Sequence, residues 1–272
     1  MTCNRQLAAR FSAEASNVYR ATDVVTTAEW LANVLLELRA VFSQRSLGPV
    51  DRSMRRASYG FRVNGRMVNV PASAFTLARE IIGRRVYELY ERFRVGQGDC
   101  VLDLGANIGI FSLTAAASGG TVVAIEAQSE LVPEVSRLMT DNGIRTVSAI
   151  HGIVGSAAGC LSSEAGRSES SHWKSEPQEV DLDALLDDLK WEHVDFLKAD
   201  IEGSEFALFS GEAAWLKKVK RIAMEVHAEH GDVQELARFL RDRSFTTIIT
   251  DLEKRPVREL CDDMGFIYAI RG

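Results

Sequence analysis

Apolar residues recur along this chain at two different periods, and the pattern changes near residue 96. Over residues 12–46, Trp30, Leu31, Val34, Leu35, Leu38 and Val41 fall three or four apart, which predicts one or two amphipathic helices ending at Gly48-Pro49. Tyr59-Gly60-Phe61-Arg62-Val63 and Arg66-Met67-Val68-Asn69-Val70 flank Asn64-Gly65, a strong hairpin signal, and Pro71 closes it. Leu77, Ile81, Ile82, Val86, Leu89 and Phe93 predict a helix over 75–93.

From Gly96 onward strand and helix patterns alternate, which predicts an α/β fold with a mostly parallel sheet and helices on both faces. Strands are expected near 99–104, 121–126, 146–151, 193–199, 220–227, 245–250 and 265–271, and helices near 108–118, 130–142, 182–188, 204–217 and 232–243. Only a short connection, Asp251 to Met264, joins the last two strands, so they can pair antiparallel. Residues 155–178 break the alternation, being rich in Ser and Gly with Glu164, Arg167, His172 and Trp173 among them. They read as a surface loop, with a lid over an active site as the sharper alternative. The expected organisation is a helical and hairpin extension over 1–75, capping the substrate side of an α/β domain over 76–272.

With 46% hydrophobic and 26% charged residues among 272, the composition is that of an ordinary globular protein. No apolar run approaches the ~18 residues that a membrane span requires. The opening Met1-Thr2-Cys3-Asn4-Arg5-Gln6 lacks the features of a secretory signal. Cys3, Cys100, Cys160 and Cys261 form no Cys-x-x-Cys pair, so free thiols in a reducing cytoplasm are expected. The net charge of −6 conceals an asymmetry: residues 1–94 carry 15 Arg and no Lys against 8 acids, while 95–272 carry 17 basic and 30 acidic residues. Ten arginines between Arg52 and Arg94 suit an acidic substrate or nucleic acid, but an exposed arginine-rich helix face is the reading adopted.

The candidate chemistry begins at Val101-Leu102-Asp103-Leu104-Gly105-Ala106-Asn107-Ile108-Gly109-Ile110-Phe111, an apolar strand running through a glycine turn into a helix. The first glycine lets the chain turn off the strand and the second lets backbone approach a ligand, while the helix start offers unpaired N–H groups to a carboxylate. Glu126, about 20 residues on at the tip of the next strand, suits two ribose hydroxyls. Asn107 stands where a dinucleotide turn needs glycine, which argues against NAD. Asp103 is costly to bury unless paired, and a cationic ammonium on a ligand would meet that need.

A second constellation follows in Phe196-Leu197-Lys198-Ala199-Asp200-Ile201-Glu202-Gly203-Ser204-Glu205. Asp200 and Glu202 fall beyond the carboxyl end of their strand, where ligands sit in such sheets. The next strand delivers Glu225 and His227 to the same edge, on one face by the period of two. Lys198 can neutralise buried acids, Gly203 supplies a tight turn, and Glu205 reads as an exposed or capping residue of the following helix.

These residues resemble the FkbM family of methyltransferases. Its Asp-x-Gly-Ala-Asn-x-Gly turn is matched by Asp103 to Gly109, its Lys-x-Asp-x-Glu-Gly-x-Glu segment by Lys198 to Glu205, and its Glu-x-His strand end by Glu225 to His227. Leu182-Asp183-Ala184-Leu185 matches a weaker Leu-Asp-x-Leu element. The resemblance spans roughly 95–230, and it departs after Glu126, where the family commonly has Pro and this chain has Ala127-Gln128. It implies a class I, Rossmann-like sheet of seven strands and S-adenosylmethionine as cofactor, held by Asp103, Gly105, Ala106, Asn107, Gly109, Glu126 and Asp200. It also implies O-methylation of a hydroxyl on a natural product, sugar or glycan.

An aliphatic hydroxyl needs a proton acceptor as it attacks. His227 is first choice by its ordinary titration range and Asp200 second, with Glu202 and Glu225 completing the catalytic edge. The four could also hold a divalent cation, but no dedicated ligand spacing is present and no metal is assigned. A nucleic-acid methyltransferase and a non-catalytic cofactor-binding module are the competing classes. No membrane partner and no nucleic acid are expected, and a homo-oligomer is left open.

Overall fold

The computed structural model describes residues 2–44, 46–155 and 175–272, with side-chain surroundings from Phe11 onward. The chain forms two compact units, Met1–Val86 and Tyr87–Gly272. Residues 76–86, read from sequence with the second domain, fall within the first unit, where Arg79 and Arg84 both pair with Glu14 at 2.7 and 3.3 Å. Most of the loop or lid expected at 155–178 lies outside the described residues.

In the first unit, α1 (Thr2–Ala21), α2 (Val24–Leu36), α3 (Leu38–Gln44) and α4 (Gly48–Arg52) precede a hairpin of β1 (Ser58–Val63) and β2 (Arg66–Pro71). Asn64 and Gly65 both adopt positive φ, 45° and 84°, as a two-residue hairpin turn requires. Asp23 caps α2 by accepting a 2.7 Å hydrogen bond from the Thr26 N–H. The helix expected over 75–93 is broken. Phe75–Ala78 (α5) widens into a π-type turn at Arg79–Arg84, and Arg85, in the left-handed region at φ 54°, ends it. Nor do all the arginines line a solvated face. Arg79 is buried between Asp51 (Nε to Oδ2, 3.1 Å) and Glu14 (Nη1 to Oε2, 2.7 Å), and Asp51 also accepts from Trp30 Nε1.

Among the described residues the second unit holds seven strands: β3 (Cys100–Leu104), β4 (Thr121–Glu126), β5 (Val147–His151), β6 (Phe196–Ala199), β7 (Arg221–His227), β8 (Phe245–Thr250) and β9 (Met264–Arg271). Their order is β5-β4-β3-β6-β7-β9-β8, parallel except that β9 runs antiparallel to both neighbours. The sheet is apolar on both faces. Leu102, Leu104, Leu197, Ala199, Ile222 and Met224 share one cluster with Leu182 and Leu186 of α8 (Leu182–Asp188) and with Leu236 and Leu240 of α10 (Val233–Arg241). On the opposite face Phe196 meets Phe111 of α6 (Ile110–Ala117) with ring centroids 5.6 Å apart. Buried on both sides, such strands read as near-continuous apolar runs.

Helix α7 (Val132–Asp141) falls within its expected range. The helix expected at 204–217 does not form as one piece: α9 covers only Glu205–Leu208, and Ala214–Lys218 is a 3₁₀ turn. Gly211 and Ala213, at φ 61° and 43°, interrupt it. Cys100 and Cys261 are free thiols. Among the described residues no helix is long and apolar enough to cross a membrane.

Candidate active site

Strand order reverses between β3 and β6, so the connections leaving these two neighbours diverge and open a crevice at their carboxyl ends. The glycine turn and Asp200 meet there. Gly105 sits at φ 72°, and a Cβ on it would lie 1.8 Å from the carbonyl oxygen of Asp200, so no other residue fits. Gly109, at φ 87°, is pressed against Val135, 3.0 Å from its would-be Cβ. This glycine thereby lets the turn pack closely against α7.

The turn's amides are also committed. Those of Gly105 and Ala106 donate to the Ile125 carbonyl, that of Asn107 to Glu126 Oε2 at 2.7 Å, that of Ile108 to Asn107 Oδ1, and that of Gly109 to the Ala106 carbonyl. The expected row of unpaired N–H groups for a ligand carboxylate is thus absent over 105–109. Asn107 adopts φ 52°, a conformation its short polar side chain tolerates.

Asp103 has its partners within the chain. Fully buried, it receives the Ser112 hydroxyl on Oδ2 at 2.6 Å and has the Lys198 ammonium 3.2 Å from Oδ1. Oδ1 has no hydrogen bond, so the ion pair alone offsets its burial. Burial would lower the Lys198 ammonium, but the charges of Asp103 and Asp200 outweigh it and raise it. Lys198 also donates to the Leu104 and Gly105 carbonyls, joining β6 to the turn. The cationic partner inferred for Asp103 is this lysine, and a ligand ammonium is not needed to stabilise it.

Glu126 ends β4 with Oε2 accepting from Asn107 N–H and Oε1 from Gln128 N–H at 2.8 Å. Burial raises its carboxyl above the usual range against the pull of these two amides. Next to it, His151 Nε2 lies 3.1 Å from the Ala127 carbonyl, at the segment where the family pattern is not followed.

At the ends of β6 and β7 the structure gathers Asp200, Glu202, Glu225 and His227, as the sequence predicted. Asp200 Oδ2 accepts from the Tyr87 hydroxyl at 2.9 Å. Burial and the charge of Asp200 hold that phenol well above its ordinary value, so it remains a donor. Glu202 stands at φ 53°, and Gly203 after it is closed in by the His230 ring, 2.3 Å from a would-be Cβ. Glu225 is pushed up to about 8, first by burial and then by the charge of Asp200.

His227 is buried, with Nδ1 3.1 Å from Glu205 Oε1 and Nε2 3.6 Å from Glu202 Oε2. Burial alone would lower the imidazole, but the hydrogen bond and charge of Glu205, with Asp200 and Glu202, raise it to about 9. The surrounding acids thus favour the protonated ring, opposing the loss of its proton. Glu205 is neither exposed nor a cap: its side chain is 0% exposed and faces His227.

Tyr87, Ser112 and the inward turn of Glu205 escaped sequence reasoning. Tyr87 lies in a segment whose spacing reads as helix, and only the Ser112 position, nine residues after Asp103 on α6, carried a usable signal.

The donor set fits a nucleoside cofactor. Each Glu126 oxygen accepts one amide and retains a second lone pair, which suits the two adjacent hydroxyls of a ribose. Among solved structures, an rRNA methylase from Streptococcus thermophilus is similar at 11% identity, covering 65% of this chain and 89% of that one with a TM-score of 0.42. A precorrin-6y C5,15-methyltransferase from Geobacter metallireducens gives 16% identity, 70% and 87% coverage and a TM-score of 0.41. A ribosomal protein L11 methylase from Lactobacillus delbrueckii subsp. bulgaricus gives 14%, 64% and 71%, and 0.39. No curated protein matches the chain. The methyltransferase FkbM domain matches residues 103–247, from the buried aspartate of the glycine turn to the middle of β8 and over more than half of the sequence. The chain belongs to the FkbM methyltransferases, and its cofactor is S-adenosylmethionine.

Proposed function

We propose that the protein transfers the methyl group of S-adenosylmethionine to a hydroxyl oxygen of a small-molecule natural product, sugar or glycan, in the cytoplasm and without a nucleic-acid partner. The observation that carries this reading is the convergence of Asp200, Glu202, Glu225 and His227 beside the glycine turn, at the ends of two adjacent parallel strands. A hydroxyl entering there meets a carboxylate already oriented by Tyr87, and an imidazole oriented by Glu205.

S-adenosylmethionine, when bound, supplies an electrophilic methyl on a sulfonium leaving group. Glu126 would hold its ribose hydroxyls, beside the turn from Gly105 to Gly109. Asp200 accepts the hydroxyl proton as the oxygen attacks, and His227 hydrogen-bonds the acceptor and aligns it. The acidic edge formed by Asp200, Glu202 and Glu225 disfavours a phosphate backbone, which argues for a small or glycosidic acceptor over RNA.

The test is steady-state transfer from methyl-labelled donor to a panel of hydroxylated acceptors, with donor affinity measured separately by calorimetry. Asp200→Asn is expected to lower kcat by ~10²–10⁴, with donor affinity within a factor of a few, because proton transfer acts only in the transition state. Full activity in Asp200→Asn would overturn its role, and transfer to RNA in preference to every small acceptor would overturn the substrate class.

A further inference from the structure

Three side chains at the acceptor edge offer one donor atom each within a small volume. The ligand atoms of Asp200, Glu202 and His227 all lie within 4.8 Å of one another, and His227 Nε2 is 3.6 Å from Glu202 Oε2. That gap is long for a hydrogen bond but right for two ligands of one ion: donors about 2.1 Å from a cation stand about 3–4 Å apart. Glu202 is the exposed member, at 57%, and opens the cluster to solvent.

Glu205 sets this cluster apart from an ordinary acidic surface. Its carboxylate is fully buried, with Oε1 on His227 Nδ1 at 3.1 Å and Oε2 without a hydrogen-bond partner. A buried carboxylate gripping one ring nitrogen is the arrangement that orients the other as a ligand, with the cation displacing the proton from Nε2 as it binds. The Tyr87 hydroxyl does the same for Asp200, fixing Oδ2 at 2.9 Å. Two of the three ligands are thus held by a group that touches neither the solvent nor the proposed ion.

We propose that Asp200, Glu202 and His227 bind a divalent cation of the manganese class at the acceptor edge. Two carboxylates call for a hard ion and one imidazole for a borderline one, and Mn²⁺ accepts both. Three protein ligands leave an octahedral ion open positions, where water or the acceptor's oxygen would bind. The proposal rests on the methyl-transfer reading only for its purpose, which is to place and polarise the hydroxyl, the ion then standing between His227 Nε2 and the acceptor in place of the direct hydrogen bond. The site itself is tested without donor or acceptor.

The experiment titrates Mn²⁺ into the full chain after dialysis against chelator and follows free Mn²⁺ by electron paramagnetic resonance. One saturable site per chain is expected, weakened at least about tenfold in Asp200→Asn, Glu202→Gln and His227→Gln, and unchanged in Asp187→Asn on α8. Glu202→Gln decides if the buried variants fail to fold, since its exposed side chain can be replaced with little effect on packing. No saturable binding up to about 1 mM, the weak end for oxygen-rich sites, would overturn the proposal. So would equal binding by wild type and Glu202→Gln. Stoichiometric Mn²⁺ binding in a protein that methylates no hydroxyl would leave the metal site standing and remove the proposed function.

Discussion

Asp103 and Lys198 show how far a single buried residue can be read from sequence. That Asp103 needs a cationic partner follows from its apolar strand; which cation supplies it does not, because Lys198 is 95 positions away and reaches it only through the β3–β6 pairing. Removing one member of a buried pair leaves the other charge uncompensated, at a cost of about 3–5 kcal/mol. Lys198→Met should therefore lower unfolding stability by that amount in denaturant titrations without any donor present. If the partner were instead a ligand ammonium, the variant would unfold like wild type and lose only donor affinity. Glu126 carries a complementary prediction. Glu126→Gln exchanges one acceptor oxygen for an NH₂ that must face a backbone N–H, so donor binding should weaken by about 1.5–3 kcal/mol in calorimetry.

The elements were legible wherever periodicity and local punctuation agreed. All seven main strands and the Asn64-Gly65 hairpin are in place, because alternating or continuous apolar runs survive in any tertiary context that buries them. The two long helices failed for a shared reason: residues inside them take a left-handed conformation, Arg85 in one, Gly211 and Ala213 in the other. Arginine and alanine are both good helix formers and do not announce this in sequence, whereas Gly211 does. The site was legible to the same degree. Residues fixed by strand register, Asp200, Glu225 and His227, arrive where expected, whereas Tyr87 and Glu205 owe their places to chain turns. At the start of α2, Asp23→Ala should cost about 1 kcal/mol at neutral pH by removing the cap. Burial raises the Asp23 carboxyl but its bonds to Thr26 lower it further, so its contribution is present above the unfolded value and is lost as pH falls through the folded one. Thermal unfolding of variant and wild type should accordingly differ at neutral pH and converge as the pH falls through the lowered carboxyl range of Asp23.

At the scale of the molecule, the glycine turn, Glu126 and the acceptor edge all belong to Tyr87–Gly272, as does the whole seven-stranded sheet. A chain beginning at Tyr87 should therefore still bind S-adenosylmethionine in calorimetry, and we expect acceptor turnover to require Met1–Val86. Transfer at the parental rate by the shorter chain would remove that role. The placing of β9 between β7 and β8 has a consequence in time. Thirty-seven positions separate His227 from Met264, so during synthesis at about 5–20 residues per second β7 stands as an open sheet edge for about 2–7 s. β8 cannot cover it, because β8 pairs only with β9. The strand that carries Glu225 and His227 is thus left unpaired on one side until the last strand has emerged, and a nascent chain stalled within residues 228–263 would present that apolar edge to any neighbouring strand.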